Sequence, residues 1–221
     1  MATLIRQEDL IESVADALQF ISYYHPVDFI QAVNEAYERE ANPAAKDAMA
    51  QILINSRMCA EGHRPICQDT GIVTAFLQVG MDVQWQGDMS VTDMVNEGVR
   101  RAYMNPDNKL RASVLDDPDG ARKNTGDNTP GVVHYEIVPG DKLEVHVAAK
   151  GGGSEAKSKF AMLNPSDSVV DWVLKMLPTM GAGWCPPGIL GIGIGGTAEK
   201  AMLLAKEALL EPIDIHELRE R

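Results

Sequence analysis

Residues 71–85, GIVTAFLQVGMDVQW, change the texture of the chain. Ile, Val, Thr, Phe and Trp suit a pleated, half-buried surface. Gly80 and Asp82 part the stretch into two halves, which predicts one or two strands. What precedes it reads differently. LIESVADALQFISYY (10–24), PVDFIQAVNEAYERE (26–40) and PAAKDAMAQILINSRMC (43–59) carry apolar residues at helical spacing. The second and third open on proline, whose fixed φ suits a first helical turn. A helical region over about 1–60 is therefore expected, its apolar residues turned to a core.

Beyond residue 85 the elements alternate. VTDMVNEGVRRAYMN (91–105) predicts a helix, with Ser90 or Thr92 as its cap. Residues 105–131 are dense in Asn, Asp, Pro and Gly and predict a long loop, a kind of segment that is often functional. VVHYEIVPGDKLEVHVAAK (132–150) predicts a hairpin turning at Pro139-Gly140-Asp141. KGGGSEAKSKF (150–160) reads as a glycine-rich loop and SDSVVDWVLKMLPTM (166–180) as a capped helix. CPPGILGIGIGGTAEKAMLLAKEALL (185–210) reads as turn, apolar strand, glycine turn and helix. The expected class is α+β, a helical N-terminal region followed by a mixed β-sheet flanked by helices. IDIHELRER (213–221) resembles the opening of a helix, so the chain is expected to belong to something longer.

The 221 residues are 45% hydrophobic and 24% charged, ordinary for a globular chain with a sizeable core. A net charge of −12 argues against nucleic-acid binding. Residues 100–159 hold ten Lys/Arg and nine Asp/Glu, a local net of +1 that leaves −13 on the remainder. That balance suits an anion site, and a merely mixed surface would look the same. No run reaches the roughly 20 apolar residues of a membrane span, and MATLIRQEDLIES lacks a signal-peptide core. A cytoplasmic protein is expected. Cys59, Cys67 and Cys185 are odd in number and irregular in spacing, which argues against disulfides and leaves small buried hydrophobes as the plain alternative.

Several motifs bear on chemistry. Gly191, Gly193 and Gly196 fit GxGxxG, but the acidic residues that follow, Glu211 and Asp214, come after a helix with no second strand. A dinucleotide fold is disfavoured; close backbone packing explains the glycines as well. KGGGS (150–154) can aim successive N–H groups at one anion, with Lys150, Lys157 and Lys159 around it, or it can be a flexible strand exit. WCPPG (184–188) puts a cysteine before two prolines, a stiff turn suited to a metal thiolate. RPICQDTG (64–71) sets Cys67 beside an amide, a carboxylate and a hydroxyl. Cys67 and Cys185 lie 118 positions apart, so a shared metal would need the fold to assemble it. Zinc is the other metal these thiols suit, although no CxxC pair is present. The histidines show no metal-ligand spacing; His63 is near enough to Cys67 to serve a site there, and His25, His134, His146 and His216 read as structural or exposed.

CQDTG, LRAS (110–113), KNTGDNTP (123–130), KGGGS and WCPPG with GIGIGGTAEKA, in that order, resemble the iron–sulfur hydro-lyases. The likeness is strongest to the class I fumarate hydratases, with the L-tartrate dehydratase alpha subunit as a relative, and it covers essentially the whole chain. The resemblance implies reversible hydration of fumarate to L-malate, a step of the tricarboxylic acid cycle, on a 4Fe-4S cluster held by three cysteines. It implies Cys67 and Cys185 as two cluster ligands, Asp69 as the proton-transfer residue, and Gln68, Arg111, Gly151, Ser154 and Lys157 as substrate contacts. It also implies a homodimer, a third cysteine and a site histidine beyond residue 221 in the same domain, and further basic residues and a catalytic threonine from a C-terminal domain. Cys59 matches no ligand position and is expected either buried or behind the site, supporting the residues that line it. The chain is thus read as a truncated, alpha-type N-terminal portion, inactive alone. Tartrate dehydration, or a non-catalytic module binding zinc or nothing, are the other readings.

Overall fold

The computed structural model describes residues 2–185 and 187–220, with the side chains of Ile215 and His216 outside the described set. The readings of Pro186 and of the His216 side chain therefore fall outside it. The chain divides into two compact units, Met1–Pro26 with Ala50–Gly151, and Val27–Met49 with Gly152–Arg221.

In chain order the elements begin β1 (Thr3–Arg6), α1 (Gln7–Tyr23), α2 (Val27–Arg39) and α3 (Pro43–Gly62). β2 (Ile72–Gly80), β3 (Val83–Gln86), α4 (Val91–Tyr103), β4 (Leu115–Asp116), β5 (Lys123–Asn124), β6 (Val132–Val138) and β7 (Leu143–Lys150) follow. α5 (Gly152–Glu155), α6 (Val169–Met176), α7 (Ala198–Glu207) and α8 (Ile215–Glu220) complete the order. Helices with mixed sheets make this an α+β fold, as the alternation of patterns predicts. Among the described residues no helix is long and apolar enough to cross a membrane.

The first unit is built on β2. Its alternate residues Val73, Ala75, Leu77 and Val79 are buried against Leu10, Ile11, Val14 and Leu18 of α1 and Met94, Val95, Val99 and Ala102 of α4. One sheet face is thereby sealed by two amphipathic helices, which is where most of the helices' stability comes from. Ser90 caps α4, its hydroxyl accepting from the Asp93 amide at 3.1 Å.

Four expectations need correction. Residues 132–150 do not pair as a hairpin. The sheet order is β6-β2-β7, with β6 parallel and β7 antiparallel to β2. Residues 139–142 cross the end of β2, and the amides of Gly80, Met81 and Asp82 donate to Lys142, Val138 and Gly140 carbonyls at 2.8, 2.9 and 2.9 Å. A Cβ at Gly80 would stand 2.5 Å from the Gly140 oxygen, so the crossing needs a glycine beneath it. A Pro-Gly-Asp turn carries the same local signal whether its strands touch or straddle a third.

The expected helical start also contains a strand. β1 runs parallel to β3, Ile5 opposite Trp85, and four residues are too few for a period to show. The glycine loop contains one helical turn, α5. No strand forms at 189–194. A Cβ at Gly191 would lie 2.0 Å from the Ala205 oxygen, and one at Gly193 would lie 1.9 Å from the Ala201 oxygen. The alternating glycines let this segment lie directly on the backbone of α7, which also removes the strand that a nucleotide fingerprint requires.

Candidate active site

In the first unit the RPICQDTG turn is held from behind by α1 and α3. Asn55 Nδ2 donates to the Ile66 carbonyl at 2.9 Å, and the Ile66 amide donates to Ser22 O at 2.8 Å. Cys59 is buried, its Sγ 3.6 Å from both Asn55 Oδ1 and the Pro65 carbonyl. It faces the turn's support and not an open site.

Cys67 is exposed. The Asp69 amide donates to its Sγ at 3.4 Å, and the thiol donates to Gln68 Oε1 at 3.3 Å. As a thiolate the sulfur can only accept, so Gln68 would then have to turn its NH2 toward it. Asp69 lies against Gly151: a Cβ there would be 2.9 Å from Asp69 Oδ2. Gly151 thus leaves room for the carboxylate. Thr70 Oγ1 donates to the Arg111 carbonyl at 2.5 Å, which ties the loop bearing Arg111 to the same turn. Cys67, Gln68, Asp69, Gly151 and Arg111 therefore belong to one connected region.

Two buried residues escaped the sequence reading. Tyr103, at the end of α4, is 1% exposed, and its hydroxyl lies 2.7 Å from Thr70 O and 3.2 Å from Gly71 O. Burial pushes its phenol up to about 12. The neutral form is favoured on folding, so its contribution is full below the ordinary value near 10 and is lost as pH rises through about 12. Between pH 10 and 12 the parent is expected to lose about 2–3 kcal/mol more stability than Tyr103→Phe, measured by urea unfolding at each pH. Equal losses in both would refute the assignment. Asn128 is fully buried. The KNTGDNTP motif contained it, but nothing local marked it as buried. Burial alone would raise the neighbouring Asp127 carboxyl, yet bonds from Thr129 and Arg100 hold it below its ordinary value.

The second unit carries Ser154, Lys157 and Cys185. The Lys157 amide donates to Ser154 O at 3.2 Å, and Lys157 Nζ lies 3.5 Å from where a Cβ at Gly183 would be. Cys185 is exposed and left-handed at φ 60°, its amide donating to Ala182 O at 3.1 Å. A non-glycine residue there stores roughly 1–3 kcal/mol of strain, a feature that clusters at functional turns.

His63 stacks on Tyr23 with ring centroids 4.7 Å apart. It lines a cavity of about 710 Å³ with Phe20, Tyr23 and Asp107, and none of Cys67, Gln68, Asp69, Arg111 or Gly151 borders that cavity. His25 Nδ1 is 3.0 Å from Ser56 Oγ, His134 stacks on Phe76 and His146 meets Glu144 at 2.6 Å, all consistent with structural roles.

The thiols of Cys67 and Cys185 have the chemistry and exposure of iron–sulfur ligands. Among the described residues, however, no three His, Cys, Asp or Glu side chains gather as a metal-binding group. Cys59 is turned inward. The three-thiolate set of a cluster is therefore not formed by the described residues.

The model of the family described as fumarate hydratase (Fumerase) matches residues 11–221. The chain belongs to that family. A putative L(+)-tartrate dehydratase subunit alpha from Methanocaldococcus jannaschii is 33% identical over 206 residues, covering 90% of this chain and 72% of the relative. The L(+)-tartrate dehydratase subunit alpha of Escherichia coli strain UTI89 is 30% identical over 208 residues, covering 92% and 68%. The strain K12 protein of the same name is 29% identical over 208 residues. This family protein is an alpha-type hydro-lyase domain.

Proposed function

We propose that this family member works as the alpha-type part of a hydro-lyase that reversibly adds water to a small unsaturated dicarboxylate, fumarate to L-malate. The observation that carries the reading is the CQDTG turn, where a carboxylate, an amide and an exposed thiol share one loop seated on Gly151. Asp69 is the group that takes a proton from carbon in dehydration and returns it in hydration, which a carboxylate can do and an amide cannot. Arg111 pairs its guanidinium with a substrate carboxylate, for which the planar fork is suited. Gln68, Gly151, Ser154 and Lys157 complete the contacts. Cys67 and Cys185 are the thiolates this chain offers to a 4Fe-4S cluster, the remaining ligand and further basic groups coming from outside these 221 residues, in a cytoplasmic homodimer.

L-tartrate is the second reading, favoured by the related L(+)-tartrate dehydratase alpha subunits. One set of measurements decides. The enzyme containing this chain, reconstituted anaerobically with iron and sulfide, is assayed on fumarate, L-malate and L-tartrate. Turnover of fumarate with at least tenfold preference over L-tartrate is expected. Cys67→Ala and Cys185→Ala are each expected to lose most of the bound iron and sulfide. A preference for L-tartrate would replace the substrate; zinc alone, or no metal and no turnover, would leave a non-catalytic module.

A further inference from the structure

α4 carries a polar edge that the proposed chemistry does not use. Asn96, Arg100 and Tyr103 recur at i, i+4 and i+7, one face of a helix. All three reach toward the site's supports. Asn96 Oδ1 accepts from the Gly131 amide at 2.8 Å. Arg100 Nε donates to Asp127 Oδ2 at 3.2 Å. Asn96 and Arg100 thereby fix 127–131 to the helix, while Tyr103 reaches the carbonyls of Thr70 and Gly71.

Between those anchors sits Asn128, 0% exposed. Its Oδ1 accepts from the amides of Ser113 and Val114 at 2.7 and 3.3 Å. Its Nδ2 donates to Gly71 O at 3.0 Å. One side chain therefore spans the loop after Arg111 and the turn after Asp69, and Thr70 Oγ1 makes the second crossing to Arg111 O. Asn128 itself is left-handed at φ 64°, a conformation that asparagine tolerates better than most residues. A buried side chain with donor and acceptor both used, in a conformation of its own cost, is placed for geometry.

We propose that Asn128 and Thr70, braced by Tyr103, are positioning residues: they clamp the Cys67–Asp69 turn to the Arg111 loop and so fix the proton-transfer carboxylate relative to the guanidinium. Neither touches the reacting atoms. The consequence for catalysis rests on the hydro-lyase reading; the clamp itself does not.

Two readouts keep them apart. Hydrogen exchange is measured on the 221-residue chain and on Asn128→Ala and Thr70→Val. Amides of 69–71 and 111–114 are expected to exchange at least tenfold faster together, with Val73–Val79 of β2 within twofold of the parent. Faster exchange in one loop only, or equally throughout β2, overturns the clamp. In the active enzyme containing this chain, Thr70→Val is expected to lower kcat at least tenfold with KM changed less than threefold, and Thr70→Ser to restore at least half of kcat. A loosened clamp with kcat intact overturns the positioning role. A parent that turns over neither fumarate nor L-tartrate sinks the hydro-lyase reading, while the paired exchange pattern still supports the clamp.

Discussion

Asp69→Asn is expected to lower kcat by about 10²–10⁴-fold, the usual contribution of a positioned general acid or base. The substitution is nearly isosteric. The side chain rests on Gly151, where a Cβ would come within 2.9 Å of Oδ2, so an amide of the same shape fits the same space. The bond from residue 69 to the Cys67 sulfur is a main-chain one and survives the change. What disappears is the ability to hold a proton between carbon and solvent. Steady-state kinetics on fumarate and L-malate should therefore show kcat collapsing with KM within about threefold, the signature of an interaction made in the transition state alone. If KM rose instead with kcat intact, Asp69 would be a binding residue and the proton would need another carrier.

That Cys67, Gln68 and Asp69 share one turn was legible in the sequence because they are neighbours, and a loop brings neighbours to one place whatever the rest of the fold does. The helices were legible for a similar reason, since amphipathic spacing over 13 to 20 residues is a strong local signal. What stayed hidden depends on closure in three dimensions. Asn128 bonds Gly71, 57 positions away, and nothing in KNTGDNTP says that its sixth residue is sealed from water. A usable signal did exist in the polar edge of α4. Asn96, Arg100 and Tyr103 follow the helical repeat on a helix whose other face is Met94, Val95, Val99 and Ala102, and polar residues at that spacing beside a core stripe point to partners. The split pairing of β6 and β7 was out of reach, because the inserted strand, β2, lies more than 50 positions earlier. The apolar run 189–194 misled for a physical reason: its glycines serve contact with α7, and composition cannot tell a strand from an extended segment laid on a helix.

Leu77→Ala is expected to have the largest effect on stability, about 2–5 kcal/mol. Leu77 is 1% exposed at the middle of β2, opposite Tyr135 of β6 and Val145 of β7, and it packs in the cluster formed with α1 and α4. Removing its branch forfeits buried apolar area and leaves a cavity bounded by two helices that cannot both collapse onto it. Against a typical domain margin of about 5–15 kcal/mol, this approaches the loss of a stable fold. Ile54→Ala is the matched control, since Ile54 is 58% exposed and its truncation should cost under about 0.5 kcal/mol. Urea midpoints at constant m-value separate the two. The kinetic consequence differs in kind from that of the clamp. β2 starts at Ile72, directly after the CQDTG turn, so its loss removes the turn and the Arg111 loop together with the fold. Activity should then scale with the folded fraction, leaving kcat per folded molecule and KM unchanged. Thr70→Val should instead lower kcat in molecules that remain fully folded. A Leu77→Ala enzyme with a changed KM at saturating folded fraction would mean that the core itself sets the site's geometry, and the clamp would lose its separate role.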